Sequence, residues 1–371
     1  MPLSFPFYSF CPFAQAPVHI ARGLVQHWLA ALLATSFVAA GQVGAAEPQA
    51  PIGVLWQGEL DGHVQVSLTI FPRVGTEAIE GIARYDSMLA AAPRQLDGQL
   101  TSDGRLSVHE RATGQAPVEY PEARDGARFE GIFSSDGLSV RGEWMNTDGT
   151  RRQALTLTRK AIYRERTVDV AGARLTERYP ETGRPRLDAL ITSLRAGGCG
   201  QGEQECRSAI ELMRLDAGNV SLLRTTWRYS GGAHGSLDYV SGTWRRHAPA
   251  SATASAPAAQ PVYRPVGLAD LLQPGEACLQ KFNDEIQAAL KRQGAAEPAR
   301  GVLDAQALQE SGVPFTLYRG GVVLHYAPYA VGPFAQGSYQ VAVPFARLGS
   351  CARPGGTGRD QSPEPNEKES T

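Results

Sequence analysis

The chain has 371 residues, with 36 Lys and Arg against 37 Asp and Glu, so its formal net charge is -1. A nucleic-acid-binding protein usually carries a basic face and a clear excess of positive charge, which this composition does not provide. Hydrophobic residues make up 42% of the chain, which is enough to bury a core. The 40 Gly and 25 Pro favour many turns and short strands over long helices.

Residues 1–46 have the composition of a secretory signal peptide. They contain no Asp, Glu or Lys, and Arg22 precedes an apolar run over residues 28–40 that is too short to span a bilayer. The small residues Gly44-Ala45-Ala46 follow as a cleavage site. We therefore expect a periplasmic or secreted protein with no membrane span after cleavage. The alternatives are an uncleaved anchor or a mis-assigned start, because the segment before Arg22 is unusually long.

Four cysteines remain after this segment, and an even number in an exported protein predicts two disulfides. Cys199 and Cys206 flank a Gly-rich loop, so a local bridge is the expected pairing, and Cys278 would then bond to Cys351. Four cysteines allow three connectivities. The chain has no Cys-x-x-Cys pair of the kind that zinc sites prefer, so we expect neither a metal nor a cofactor.

Residues 53–160 are predicted to form an all-β, antiparallel, barrel-like domain of about eight strands. Turns such as Asp61-Gly62, Asp103-Gly104 and Asp136-Gly137 separate short runs that suit strands, and Asp-Gly is a strong hairpin signal. When every strand is joined to its sequence neighbour, a meander of this size can close and remove its exposed edges. Glu110 alternates with apolar residues, which predicts a carboxylate at the lumen or rim rather than a catalytic base.

Glycine stands in the middle of five of these predicted strands, at positions 58, 81, 98, 131 and 142. A mid-strand glycine weakens a strand but allows sharp bending and close backbone approach. We interpret the pattern as barrel geometry. The alternative is a small apolar ligand lying against the backbone inside the barrel, which would make the domain a carrier.

Residues 164–350 are predicted to form an α+β domain. Pro185 begins a helical pattern of apolar residues, and a second apolar stripe runs from Leu279 to Leu290, with strand patterns between and after the two helices. An Ala/Ser/Pro-rich run over 249–261 predicts a mobile insertion, and the polar segment 352–371 predicts a disordered tail.

Three ordered motifs in this domain resemble the DUF3298 family of extracytoplasmic domains, which often follow a DUF4163-type region. They are a Tyr-Ser-Gly-Gly-Ala-His-Gly turn at 229–235, a Val-Gly-Leu-Ala-Asp-Leu-Leu segment at 266–272, and a strand-loop-strand segment at 315–345. The resemblance covers about residues 164–348, the C-terminal half only. It implies an exported α+β domain and lysozyme or cell-wall binding, because the family includes the lysozyme-binding domain of an anti-sigma factor.

The chain departs from the family pattern at two places. The Ala/Ser/Pro run replaces a short hairpin, and His325 stands where the family has an aromatic or apolar residue. We expect His325 to be a half-buried strand histidine. Neither a sigma-binding part nor a deacetylase domain is recognisable in the sequence, so the resemblance does not imply sigma-factor control.

A catalytic role for His234 is the main alternative to binding. Ser230, His234 and Asp238 follow one another at intervals of four, which places them on one face of an extended chain but about 13 Å apart. That distance is too long for the hydrogen bonds of a catalytic triad. An envelope hydrolase that uses His234 with another carboxylate stays open as a hypothesis.

We therefore predict an exported, non-enzymatic binding protein of the cell envelope. Its partner would be a lysozyme-like protein or peptidoglycan, with no role for nucleic acid. Aromatic residues on loops suit contacts of this kind. The predicted binding residues come from the Gly-Gly-Ala-His turn and a later Tyr/Pro-rich loop: Tyr229, Gly231, Gly232, His234, Tyr326, Tyr329 and Phe334.

Overall fold

The computed structural model describes residues 51–86, 93–111, 126–170, 173–197, 199, 202–247, 261–310 and 312–353. The predicted signal peptide lies outside these residues, as do most of the Ala/Ser/Pro insertion and of the C-terminal tail. Among the described residues, no helix is long and apolar enough to cross a membrane. The chain divides into two compact units, the first ending at Ile162 and the second beginning at Tyr163.

The first unit is a closed, eight-stranded antiparallel barrel, as predicted. Each strand pairs with the next one in sequence, and β8 pairs back with β1. At the first hairpin, Asp61 and Gly62 both have positive φ, the conformation of the two central residues of a type I′ turn, and the His63 amide donates to the Leu60 carbonyl. The strands are β1 (Gly53–Leu60), β2 (Val64–Pro72), β3 (Ala78–Tyr85), β4 (Arg94–Leu100), β5 (Arg105–Arg111), β6 (Arg128–Phe133), β7 (Ser139–Met145) and β8 (Arg152–Val170).

Apolar side chains from all eight strands form one buried cluster, which includes Trp56, Leu68, Phe129 and Leu157. An eight-stranded barrel has an interior just wide enough for side chains to fill, so this packing does not favour a carrier function. A Cβ on Gly142 would lie 1.9 Å from the carbonyl oxygen of Glu130. Close backbone approach, rather than a ligand, therefore accounts for glycine at this position.

Glu110 is a buried carboxylate of the barrel, with 2% of its surface exposed. It accepts hydrogen bonds from Tyr85 Oη and from Trp144 Nε1, the latter at 3.2 Å, and Arg94 Nε lies 3.2 Å from its other oxygen. Burial raises the pKa of Glu110 to about 7, and the hydrogen bond from Trp144 acts in the opposite direction. The carboxylate thus lies among the buried residues of the barrel, a position that the sequence predicted as lumen or rim.

The larger sheet of the second unit continues from the end of β8 and contains one helix crossover. Strands β9 and β10 are parallel and are joined through α1, whereas β10 to β13 are antiparallel neighbours. Helix α1 buries Leu187, Ile191 and Leu194. The elements are β9 (Ala173–Glu181), α1 (Pro185–Arg195), β10 (Glu205–Leu215), β11 (Asn219–Tyr229), β12 (Ser236–His247) and β13 (Val262–Pro265).

A three-stranded sheet and a long helix complete this unit and share a second apolar core. The predicted α+β class is therefore confirmed. The elements are a 3₁₀ turn (Leu268–Leu271), α2 (Glu276–Arg292), a 3₁₀ turn (Pro298–Gly301), α3 (Ala305–Glu310), β14 (Phe315–Tyr318), β15 (Gly321–Tyr326), a 3₁₀ turn (Phe334–Gln336), β16 (Tyr339–Pro344), α4 (Phe345–Leu348) and a 3₁₀ turn (Gly349–Cys351).

Side chains of the larger sheet form hydrogen bonds with backbone groups of β14. Ser241 Oγ accepts a hydrogen bond from the Phe315 amide and Ser221 Oγ accepts one from the Leu317 amide, both at 2.9 Å. Arg214 donates to the Tyr318 carbonyl at 2.7 Å. Because these donors and acceptors are buried, leaving them without partners would cost about 1–3 kcal/mol each. These hydrogen bonds fix the position of β14 relative to the larger sheet.

Both predicted disulfides are confirmed. Cys199 bonds to Cys206 with Cα atoms 5.9 Å apart, and Cys278 bonds to Cys351 with Cα atoms 5.2 Å apart. The second bridge ties the first turn of α2 to the last 3₁₀ turn. Two disulfides fit an oxidising compartment.

Candidate functional site

The Gly-Gly-Ala-His turn joins β11 to β12 and presents an exposed histidine. Gly231 and Gly232 have φ values of +95° and +101°, which side chains other than glycine rarely tolerate. Tyr229 Oη donates to the Gly232 carbonyl at 3.1 Å and so anchors the turn to the end of β11. His234 follows the two glycines and is exposed. The turn thus fixes the position from which the histidine ring projects.

The loop between β15 and β16 supplies the other aromatic residues of the site. Tyr329 is 54% exposed and has a φ of +73°. A positive φ is rare for a bulky residue and costs free energy, so the surrounding loop must hold it in place. Phe334 begins the 3₁₀ turn that follows Pro333. Both side chains lie within a Pro/Gly-rich stretch, as the sequence predicted.

The two loops bring three rings together, and we call His234, Tyr329 and Phe334 the aromatic cluster. The His234 and Phe334 rings are stacked, with centroids 3.7 Å apart and an interplanar angle of 15°. Tyr329 lies against both, with centroids 6.2 Å from His234 and 5.5 Å from Phe334. Aromatic pairs in such contact stabilise one another beyond the effect of area burial. The cluster is therefore an ordered surface feature.

Both ring nitrogens of His234 have hydrogen-bond partners. Nδ1 lies 2.9 Å from the Gly235 carbonyl, which can only accept, so Nδ1 is the donor. Nε2 lies 3.3 Å from Tyr329 Oη, a group that can donate or accept. Within the described part of the chain, no carboxylate is a hydrogen-bond partner of His234. The ring is thus oriented by a backbone carbonyl and a phenol.

The triad spacing of Ser230, His234 and Asp238 does not produce a triad. Asp238 lies 3.7 Å from Arg228 Nη1, and that guanidinium also pairs with Glu203 at 3.2 Å. Because Asp238 sits on β12 opposite Thr226, the antiparallel register directs it to a neighbour across the sheet. Among the described residues, the carboxylate that the hydrolase hypothesis requires is therefore not at His234.

Tyr326 does not join the aromatic cluster, which corrects its prediction as a binding residue. It is 3% exposed, and its hydroxyl donates to the Gly301 carbonyl at 2.7 Å. Burial raises the pKa of this hydroxyl above its usual range. His325 is fully buried rather than half-buried, with Nε2 2.9 Å from Thr316 Oγ1. Both residues belong to the interior of the unit.

Trp227 is a surface aromatic residue that the sequence analysis did not single out. Its ring is stacked with Tyr229, with centroids 6.3 Å apart, and the Arg207 guanidinium carbon lies 5.5 Å from its ring centroid. A Cβ on Gly235 would lie 2.6 Å from the indole, so the turn packs directly on this ring. Trp227 and Tyr229 are two residues apart on one strand, and this spacing could have predicted that they share a face of the sheet.

One group of side chains among the described residues has metal-ligating chemistry. Ligand atoms of Cys199, Glu203 and Cys206 lie within 4.8 Å of one another. The two sulfurs are joined in the disulfide, so they do not offer thiolates, and Glu203 is paired with Arg228. This group therefore forms a structural cross-link rather than a metal site.

The family model described as "Protein of unknown function (DUF3298)" matches residues 269–346. Residues 269–346 thus match a DUF3298 domain, and they lie within the second unit. Tyr329 and Phe334 lie inside the matched DUF3298 segment, whereas Tyr229 and His234 precede it. The site thus combines matched and unmatched parts of the second unit.

Two solved structures of DUF3298 proteins are similar to this chain. One, from Pseudomonas aeruginosa PAO1, has 16% sequence identity and a TM-score of 0.36, and the match covers 53% of this chain and 94% of that one. The other, from Bacteroides fragilis NCTC 9343, has 14% identity and a TM-score of 0.30, with 52% and 92% covered. No curated protein matches the chain.

Proposed function

We propose that this protein is an exported, non-enzymatic binding protein of the cell envelope, and that the aromatic cluster is its recognition surface. The observation that carries the proposal is the meeting of two loops that place three rings together, with Tyr329 54% exposed. Aromatic side chains dominate binding energy at recognition surfaces. The two disulfides are consistent with export.

Tyr329 supports this proposal because its backbone is strained and its side chain is exposed. The fold gains little from burying this ring, yet it holds a bulky residue at a φ of +73°. Strain of this kind persists where the surroundings over-determine a conformation, often at binding surfaces. A ring that is already ordered loses less conformational entropy when a partner binds. The geometry thus suits a preorganised contact.

The contacts of His234 favour binding over hydrolysis. A histidine base needs an oriented partner and access to a nucleophile, whereas here Phe334 covers one face of the ring and Tyr329 Oη lies 3.3 Å from Nε2. The partner classes that we propose are a lysozyme-like protein and peptidoglycan. Either partner could contact an aromatic surface that carries polar groups at its edges. Binding experiments with each one distinguish between them.

The test measures binding of the purified protein to lysozyme by calorimetry and to purified peptidoglycan by co-sedimentation. We expect one of the two to bind, and Tyr329→Ala to weaken that binding by 10-fold or more. Ile132→Ala in the barrel is the matched control, because Ile132 is also 54% exposed. It should bind as the unmodified protein does.

Tyr329→Gly separates a binding role from a structural role. Glycine adopts positive φ without strain, so this variant should keep its melting temperature within a few degrees while it loses binding. Binding that survives both substitutions at Tyr329, or no binding to either partner, would contradict the proposal. Release of soluble peptidoglycan fragments that His234→Ala abolishes would show a hydrolase instead.

A further inference from the structure

A stretch of the second unit carries positive charge without any acidic residue. Between Asp238 and Asp270 the sequence contains three Arg, one His and neither Asp nor Glu. In a chain with a net charge of -1, this is a local concentration of one sign. None of the predicted binding residues lies in this stretch, so the aromatic cluster does not account for it.

The antiparallel pairing of β12 with β13 gathers these charges into a two-stranded ribbon, which we call the basic ribbon (residues 244–247 and 262–265). Arg245 lies directly opposite Arg264, and Arg246 lies opposite Tyr263. Like charges at directly opposite positions weaken an antiparallel pair. β13 is the last strand in the sheet order, so the ribbon forms an edge of the larger sheet.

Two arginines of the ribbon, Arg246 and Arg264, carry positive charge that is available to a partner. Arg264 is exposed and Arg246 is half-buried, and neither forms an ion pair within the described ranges. Asp216, in the neighbouring β10–β11 turn, is engaged by Arg214 and by the amides of Gly218 and Asn219. Arg186 places a further positive charge beside the ribbon. Its Nη1 donates to the carbonyl of Pro261, the residue before β13, at 3.0 Å. The available positive charge at this edge therefore comes from Arg246 and Arg264, with Arg186 beside them.

Aromatic and apolar side chains alternate with these charges. Trp244 lies flat on its own strand, since a Cβ on Gly242 would come within 2.1 Å of the indole. Trp244 and Tyr263 are half-buried, and Val262 is 42% exposed. Trp and Tyr beside Arg are the composition of surfaces that lie at a membrane–water interface. A nucleic-acid surface would not need the exposed valine.

We propose that the basic ribbon docks the protein on an anionic phospholipid surface. The free edge of β13 would meet the surface, with Arg264 and Val262 on one side of the ribbon and Arg246, Trp244 and Tyr263 on the other. The long arginine side chains would reach the headgroup phosphates, and the aromatic and valine side chains would contact the boundary with the acyl chains. Each arginine near such a surface strengthens association by about fivefold. Association of this size is reversible and weakens with salt. The proposal is independent of the partner of the aromatic cluster.

Co-sedimentation with lipid vesicles tests the proposal. We expect the protein to pellet with vesicles that contain phosphatidylglycerol in phosphatidylcholine at low salt, and to stay in solution with pure phosphatidylcholine. The double variant Arg246→Gln/Arg264→Gln should lower partitioning by about 30-fold. The control, Arg105→Gln/Arg152→Gln in the barrel, removes the same charge from exposed positions and should leave partitioning unchanged.

Several results would overturn the proposal. They are the absence of pelleting with anionic vesicles, equal pelleting with neutral vesicles, and equal losses in the two double variants, which would indicate a general charge effect. Binding to duplex DNA as strong as to the vesicles, with the same dependence on Arg246 and Arg264, would make the surface a polyanion site rather than a lipid site. Thermal unfolding of both variants verifies that each one is folded.

Discussion

The barrel and the second unit stabilise their β-structure by different means. In the barrel, closure of β8 onto β1 pairs every strand on both sides, and the interior is filled by apolar side chains. Its sequence contains no cysteine. The second unit is open and layered, and side chains such as Ser221, Ser241 and Asn283 bond its buried backbone groups. Two disulfides add covalent restraint.

This difference bears on where function can reside. A closed barrel with a filled interior exposes few unpaired backbone groups and leaves little room for a ligand. An open sheet has an edge and long loops, and both surfaces proposed for recognition, the aromatic cluster and the basic ribbon, lie there. Loops and edges on a rigid scaffold commonly carry binding sites.

Removal of the long-range disulfide should give the largest effect and should be confined to the second unit. Cys278 and Cys351 are separated by 73 residues, so Cys278→Ser/Cys351→Ser should lower the free energy of unfolding by about 4 kcal/mol. The Cys199–Cys206 bridge spans a sequence separation of only 7, so Cys199→Ser/Cys206→Ser should cost about 2 kcal/mol. Hydrogen exchange followed by mass spectrometry measures each unit separately. If amide protection fell equally in barrel peptides and in peptides of the second unit, the two units would not be stabilised separately.

A methyl group placed inside the barrel wall should have the next largest effect. In Gly142→Ala the new Cβ would lie 1.9 Å from the Glu130 carbonyl oxygen, which forces the strands apart and should cost about 3 kcal/mol. Gly149→Ala is the control, because Gly149 has a φ of +71° but open space around it. It should cost about 1 kcal/mol, from backbone strain alone. Urea denaturation measures both, and similar losses would argue against close backbone contact as the reason for glycine.

The buried carboxylate of the barrel predicts a smaller, pH-dependent effect. The pKa of Glu110 is raised from 4.5 to about 7, so the folded state binds a proton that the unfolded state has released between these values. This contribution to stability is complete below pH 4.5 and is lost as the pH rises through 7. The barrel should therefore be more stable at pH 5 than at pH 8, by about 2 kcal/mol.

Glu110→Gln is the matched variant for this measurement. It keeps an acceptor for Tyr85 and Trp144 but cannot ionise, so the difference between pH 5 and pH 8 should shrink in denaturation curves. A pH dependence of the opposite sign in the unmodified protein would show that Arg94 holds the carboxylate ionised. The second unit serves as the internal reference in the same sample.

Much of the fold could be predicted because its signals are local. Asp-Gly turns such as Asp61-Gly62 set hairpins through the backbone conformations that they permit, and consecutive hairpins imply a meander that closes. The α+β class followed from helical periodicity after Pro185 and along Leu279–Leu290. The disulfide pairs followed from cysteine count and loop length. Each inference uses residues that are close in sequence or a simple count.

The candidate site was only half predictable from the same sequence. Tyr326 and Tyr329 are three residues apart and of the same type, yet the hydroxyl of Tyr326 is buried on Gly301 while Tyr329 is exposed at positive φ. Periodicity could not distinguish them, since β15 is buried along its whole length and ends at Tyr326. Asp238 pairs with Arg228 instead of His234 because strand register decides its neighbours.

By itself, the sequence determined the barrel meander, the α+β character of the second unit and the residues that build the Gly-Gly-Ala-His turn. Tertiary structure decided that this turn meets the Tyr329 loop. His234 and Tyr329 are 95 residues apart, and their contact depends on how two sheets pack. No local pattern encodes that packing, because it arises from buried surface and hydrogen bonds shared between distant segments.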